Sequence, residues 1–160
     1  MVAGMDKSFV INAAGLSLVK YYEGCFLHSY QDSVGVWTIG LGRIKHDDGT
    51  AVGPHEGCTQ DMADHWLQTD LDREAAHYVR AWTNGLNENQ FSSLVSFCFN
   101  RGAGRLRSLL AMPGAVDHNM LSFDWAGNVN NHLLGLQRRR RSEAALYRGE
   151  DWTIFQSWHP

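Results

Sequence analysis

The stretch that most constrains the fold lies in the middle of the chain, where residues 89–100 read NQFSSLVSFCFN. At helical spacing Phe91, Leu94, Val95, Cys98 and Phe99 share one broad face and Phe97 stands beside it, which leaves too little polar surface for a helix at the rim of a domain. Such a helix has to be surrounded, so it is expected to be the central helix of a larger, helical lobe. Asn87 can cap its start, and Gly102 and Gly104 end it after about Asn100. With 160 residues, 44% of them hydrophobic, the chain can bury a core of this kind without disulfides or metal. One domain over 1–160 is expected, with about residues 1–12 as a loose N-terminal extension.

The other helices announce themselves by their caps and periods. Asn12 can cap a short helix through about Tyr22, with Leu16, Val19 and Tyr22 turned inward. Thr59 reads as the cap of a long helix ending near Trp82, with Met62, Trp66, Leu67, Leu71 and Val79 on its buried side, and Asn84 and Gly85 break it. The part from Arg105 to Asn131 is less legible: a short helix around Leu106 to Met112, a stop at Pro113 and Gly114, then a turn or two near Met120 to Trp125. After Gly135 comes a last helix, LQRRRRSEAALYRG, and a tail whose Trp152, Phe155 and Trp158 are expected to pack rather than to anchor in a membrane, being too short a segment for that.

Between the first two helices the period changes. From Phe26 to Thr50, Tyr30, Val34, Val36, Trp37 and Ile39 are set among Gly35, Gly40, Gly42 and Gly49, the pattern of short strands joined by tight turns. Two carboxyls flank the start of this run. Glu23 stands at a helix C-terminus, where the helix dipole disfavours negative charge, and Asp32 lies in a polar turn. Carboxyls from adjacent but different elements can be held in different surroundings, which hydrolysis by an acid and a base requires. The spacing E-x8-D is loose, however, and a solvated helix-end glutamate with a turn-forming aspartate accounts for the letters too.

Composition narrows the partners. A formal net charge of −3 argues against nucleic acid, despite the local run Arg138 to Arg141. Cys25, Cys58 and Cys98 form an odd set with no C-x-x-C, which fits free thiols better than a disulfide framework, although a bridge between Cys25 and Cys58 in an oxidising compartment stays open. His46, His55, Cys58 and His65 do not repeat the paired spacing of a structural zinc site, so no metal and no cofactor are expected. The first fifteen residues contain Asp6 and Lys7 and no signal-like apolar segment, and no stretch is apolar enough for stable membrane insertion.

Residues 22–42 read YEG-x-x-L-x-x-Y-x-D-S-x-G-V-W-T-I-G-x-G, which resembles the signature of phage-type lysozymes, the endolysins of glycoside hydrolase family 24. Three further blocks resemble that family in the same order: the T-x-x-x-A piece at Thr59, LNENQFSSLVSFCFNRGAG, and GLQRRRRSEAALY. The resemblance runs from about Ala14 to Trp152. It implies a mainly helical α+β, lysozyme-like fold, with a small β-containing lobe, a larger helical lobe and a cleft between them.

The resemblance also assigns roles. The family's E-x8-D-x5-T triad falls on Glu23, Asp32 and Thr38: general acid on the glycosidic oxygen, base or electrostatic support for the attacking water, and second ligand of that water. Aligned on Gly149 and Trp152, the arginine that pairs with the acid falls on Arg139, with Arg138 as close competitor and the other arginines as surface residues or partners of Glu143. Asn100 matches a polar, sugar-binding position. Many relatives carry histidine where this chain has Arg43, which puts a local carboxylate bridge in doubt.

The implied activity is hydrolysis of the β-1,4 bond from N-acetylmuramic acid to N-acetylglucosamine in bacterial peptidoglycan. The family usually inverts; inverting enzymes keep their carboxyls about 6.5–9.5 Å apart, against about 5–5.5 Å in retaining ones. A monomer that accumulates in the host bacterial cytoplasm and reaches the wall after release is expected. The alternative is a non-catalytic glycan-binding module on the same fold.

Overall fold

A computed structural model describes residues 9–126 and 132–160. The expected loose start falls largely on residues 1–8, outside the described residues, as do residues 127–131 of the less legible stretch. The chain divides into two compact units, Met1–Leu18 with Leu71–Pro160, and Val19–Asp70.

The larger unit is helical and is built on α4 (Glu88–Arg101) and α7 (Leu134–Arg148). The sequence starts α4 with a reciprocal cap: Asn87 Oδ1 accepts from the Gln90 amide at 2.9 Å, and Gln90 Oε1 accepts from the Asn87 amide at 3.0 Å. Two amides that helix formation would leave orphaned are thereby satisfied, which contributes about 1 kcal/mol. Every residue from Phe91 to Cys98 is buried, as expected of a helix with almost no polar face. Phe97, expected at the side, is fully buried and meets Phe123 edge-to-face at 5.2 Å, whereas Phe99 is only half-buried. Gly102 ends the helix at φ 82°, a conformation that costs a residue with Cβ strain.

Around α4 pack α3 (His77–Trp82), α5 (Ala103–Ala111) and, against α7, α6 (Val116–Met120). α5 begins three residues before the expected Leu106, and α6 lies ahead of the expected Met120–Trp125, because Ala115 leaves the extended conformation directly into a helical turn. α7 closes on Gly149 at φ 77°, with the Glu150 amide reaching back to the Ala145 carbonyl at 2.9 Å. The tail forms a 3-10 turn (Trp152–Phe155) packed on α7, with Trp152, Phe155 and Trp158 half-buried, as expected.

α1 (Ala13–Glu23) starts where Asn12 predicts, with Asn12 Oδ1 accepting from the Gly15 amide at 2.9 Å. Its buried residues are Gly15, Leu18 and Val19, with Leu16 only half-buried, so the inner stripe is rotated from the expected one.

The smaller unit holds the end of α1, a hairpin, and α2 (Gln60–Leu71), whose first turn is capped by Thr59 Oγ1 accepting from Met62 N at 3.2 Å. Met62 is exposed and Ala63 takes the buried position beside Leu67. α2 runs through a π turn (Asp72–Ala76) into α3, so the long helix expected to end near Trp82 does so, with one widened turn. β1 (Phe26–Gln31) and β2 (Trp37–Gly40) pair antiparallel, Tyr30 opposite Thr38, with a register shift toward Phe26 opposite Gly40.

Candidate active site

Glu23 is the last residue of α1, and Gly24 at φ 75° turns the chain from the helix into β1. The helix end is tied down one turn earlier, where Lys20 Nζ meets Asp64 Oδ1 at 2.6 Å on α2. Burial opposes ionisation of Asp64, but hydrogen bonds from Lys20 and Gln60 outweigh it and hold the carboxyl below the usual carboxylate range. Glu23 is thus an exposed carboxyl on a fixed platform.

Asp32 begins the hairpin turn. Its Oδ1 accepts from the amides of Val34 and Val36, both at 2.9 Å, while its own amide donates to the Val36 carbonyl at 3.0 Å. Gly35, at φ 83°, completes the turn. One carboxylate oxygen is therefore fixed by backbone amides; this is an Asx turn of the kind the letters D-S-x-G favour. Thr38, one residue into β2, is 3% exposed and donates its hydroxyl proton to the Val36 carbonyl at 3.0 Å. With that proton committed, its lone pairs are left to accept. Val36 thus links the two side chains: its amide holds Asp32 and its carbonyl orients Thr38.

The loops after β2 answer the question raised by Arg43. Its Nη2 pairs with Asp47 Oδ1 at 2.6 Å, its Nε donates to the Lys45 carbonyl at 2.9 Å, and its guanidinium lies 5.1 Å from the Trp66 ring centroid. A histidine–carboxylate contact also exists, moved three residues on: His46 Nε2 and Glu56 Oε2 are 2.8 Å apart, and Glu56 Oε1 accepts from Gly53 N at 2.6 Å.

In the larger unit the arginine run separates into distinct environments. Arg140 is fully buried, its Nη2 donating to Glu143 Oε1 at 2.8 Å, and its Nε lies 2.7 Å from Glu143 Oε2, close enough for charge attraction but misaligned for a hydrogen bond. Burial brings the Arg140 guanidinium down to about 10 despite Glu143. Arg139, 3% exposed, donates from Nε to the same Glu143 Oε1 at 3.1 Å. One carboxylate is shared by two guanidiniums, and Ser96 adds a hydroxyl at 2.7 Å.

Partnership with Glu143 holds as expected, but Arg140 is not a surface residue: α4 covers the helix face on which it lies, and its Cζ rests 4.9 Å from the Phe97 centroid. Arg138 is engaged by the tail, donating to the Trp158 carbonyl at 2.7 Å, and Arg141 lies over the Trp158 ring at 3.9 Å. Asn100 is half-buried near the end of α4, with its Oδ1 buried and unpartnered.

The hydrogen-bonding role of Ser93 and Ser96 was missed from sequence. Ser93 Oγ donates to the Glu143 carbonyl at 2.7 Å. Two hydroxyls three residues apart on an otherwise apolar helix, S-x-x-S, were the available signal. Cys25, Cys58 and Cys98 carry free thiols; burial pushes Cys98 up to about 11, and burial together with the neighbouring Cys25 raises Cys58. Among the described residues no group of three or more His, Cys, Asp or Glu is placed to hold a metal, and no helix is long and apolar enough to cross a membrane.

Known proteins share both the sequence and the fold. The family model described as phage lysozyme matches residues 20–143. The endolysin of Acyrthosiphon pisum secondary endosymbiont phage 1 is 32% identical over 146 residues, covering 86% of this chain and 97% of that protein. The endolysin of Salmonella phage P22 is 34% identical over 148 residues, with 86% and 97% covered. The crystal structure of a point mutant of P22 lysozyme superposes with a TM-score of 0.73 at 30% identity, covering 87% of this chain and 98% of the other.

Proposed function

The chain belongs to the phage lysozyme family, and from that membership we propose that Glu23, Asp32 and Thr38 carry out its muramidase reaction. The protein is a peptidoglycan hydrolase, an enzyme of cell-wall lysis. In the proposed reaction Glu23 protonates the glycosidic oxygen of the β-1,4 bond between N-acetylmuramic acid and N-acetylglucosamine. Asp32 takes one proton of the attacking water, and Thr38, whose hydroxyl donates its hydrogen bond to the Val36 carbonyl, accepts a hydrogen bond from the O–H that stays on the new sugar hydroxyl. Such a water is left with a lone pair for the anomeric carbon, and attack opposite the departing oxygen inverts the centre.

The observation that carries this reading is the Val36 link, which orients a carboxylate and a hydroxyl acceptor from one short hairpin. Arg139 is proposed as the cationic support of the acid, and Asn100, through its unpartnered Oδ1, as an acceptor for a sugar N–H or O–H. We read the two units as lobes of a single catalytic domain working as a monomer without cofactor or nucleic acid. Accumulation in the host cytoplasm, with access to the wall after release through a membrane lesion, completes the reading.

Purified peptidoglycan treated with wild type and Glu23→Gln tests it. Wild type is expected to release reducing sugar whose first-formed anomer, followed by NMR, is α, and Glu23→Gln is expected to lose at least about a hundredfold in rate. Undiminished release by Glu23→Gln sinks the acid assignment; a first-formed β anomer sinks the inverting one.

A further inference from the structure

The smaller unit holds two of the three free thiols, Cys25 and Cys58, both half-buried, whereas Cys98 is 1% exposed in the larger. Cys25 lies between Gly24 and β1, and Cys58 stands just ahead of Thr59, the cap of α2. The two segments run side by side. His28 and Gly57 form an antiparallel bridge, flanked by the Ser29 amide donating to the Glu56 carbonyl at 2.9 Å and the Cys58 amide donating to the Leu27 carbonyl at 2.9 Å. In that register Cys58 stands opposite Leu27, and Cys25 is its diagonal neighbour. Side chains close the remaining gap: Gln60, across from Cys25, donates from Nε2 to Cys25 Sγ at 3.9 Å. Burial raises the Cys58 thiol and the neighbouring Cys25 raises it further, as expected of two sulfurs within electrostatic reach.

A bond between these sulfurs would close a loop from residue 25 to residue 58 that contains β1, β2, Asp32 and Thr38 and begins directly after Glu23 and Gly24. A two-stranded hairpin is marginal by itself, and a crosslink stabilises chiefly by restricting the unfolded chain, more so for a long loop. A reducing cytoplasm keeps such thiols free, and an oxidising periplasm does not.

We propose that Cys25 and Cys58 form a dithiol oxidation site whose disulfide staples the hairpin carrying Asp32 and Thr38 once the protein meets an oxidising compartment. The proposal rests on the muramidase reading for its compartment and its effect on cleavage, though not for the bond itself. The thiolate of one cysteine attacks a sulfur of an external disulfide such as oxidised glutathione, whose other half leaves as a thiolate. The second cysteine then attacks the protein sulfur of the mixed disulfide and displaces the bound half as another thiolate. Two protein thiols are oxidised, the external disulfide is reduced to two thiols, and the two protein protons end on the departing thiolates.

Incubating the whole folded protein with excess oxidised glutathione should leave one free thiol, Cys98, of the three, and proteolysis should yield a peptide joining Cys25 to Cys58 that is lost on reduction. The Tm should rise by at least about 4 °C over the reduced protein, as closure of a loop of this length predicts. Cys25→Ser and Cys58→Ser should each lose both the joined peptide and the shift, and Cys98→Ala should keep both. On purified peptidoglycan the oxidised protein should still cleave at a temperature where the reduced protein has lost its activity. Glutathione adducts without a Cys25–Cys58 bond, a bond to Cys98 instead, or a Cys25–Cys58 bond with unchanged Tm overturns the proposal. A bond and a Tm shift in a protein that cleaves peptidoglycan in neither redox state would overturn the muramidase reading and leave the oxidation site standing.

Discussion

Glu143→Gln is predicted to be the most destabilising conservative change in the larger unit. The carboxylate is fully buried and is the shared counter-charge of Arg139 and Arg140, the second of which is itself 0% exposed. Removing one partner of a buried ion pair costs about 3–5 kcal/mol, because the remaining charge keeps its desolvation cost without its compensation. Glutamine retains an acceptor for Ser96 and one guanidinium, so the loss should lie near about 3 kcal/mol, with Glu143→Leu nearer about 5 kcal/mol. In a chain of this length that corresponds to a fall in Tm of about 6–12 °C for the glutamine variant.

Urea unfolding followed by far-UV circular dichroism measures it, with an unchanged m-value required for the comparison. The companion variant Arg140→Met/Glu143→Leu removes a buried charge together with its partner and should be less destabilised than the sum of its two single variants by at least about 1 kcal/mol. A loss below about 1 kcal/mol for Glu143→Gln, or strict additivity in the double variant, would refute the reasoning that Glu143 compensates otherwise uncompensated buried charge.

Two further outcomes follow from packing and burial. Gly15→Ala would place a Cβ 2.6 Å from Ser92 Cβ and 2.8 Å from Ile11 Cγ1, so despite alanine's better helix propensity it should destabilise by about 1–3 kcal/mol, measurable in the same urea titration; a neutral or stabilising change would contradict the close approach of α1 to α4. The Cys98 thiol, raised from an ordinary 9.0 to about 11 by burial, contributes stability that is complete below pH 9 and lost as pH rises through about 11. Wild type should therefore lose up to about 2–3 kcal/mol more than Cys98→Ala over that interval, and equal alkaline slopes would exclude it.

The capped starts of α1, α2 and α4 were legible in the sequence because a cap is local chemistry: Asn12, Thr59 and Asn87 each satisfy the amide three residues ahead. The Asp32 turn was legible for the same reason. Helix phase was not. Which of Leu16 or Leu18 in α1, and Met62 or Ala63 in α2, is buried turns on a rotation of the helix by one or two residues at about 100° each, and neighbouring elements decide it. The start of α6 was misplaced because no capping side chain marks it; Ala115 makes no such bond.

The sequence by itself determined the central helix and the order of elements, since these are written in local period and local turns, while the acid, base and water-holding candidates were marked by the resemblance of residues 22–42 to a family signature. Tertiary structure alone decided the fate of the four arginines. Residues 138–141 are chemically identical, yet Arg140 is buried against Phe97 and Glu143, Arg139 shares that carboxylate, Arg138 binds a tail carbonyl and Arg141 lies on Trp158. The difference lies in what stands opposite each helix face, and that is fixed by residues some 40 positions earlier on α4 and some 20 later in the tail. The same holds at Trp125, where Arg101 and Arg105 meet only because separate helices bring them to one ring.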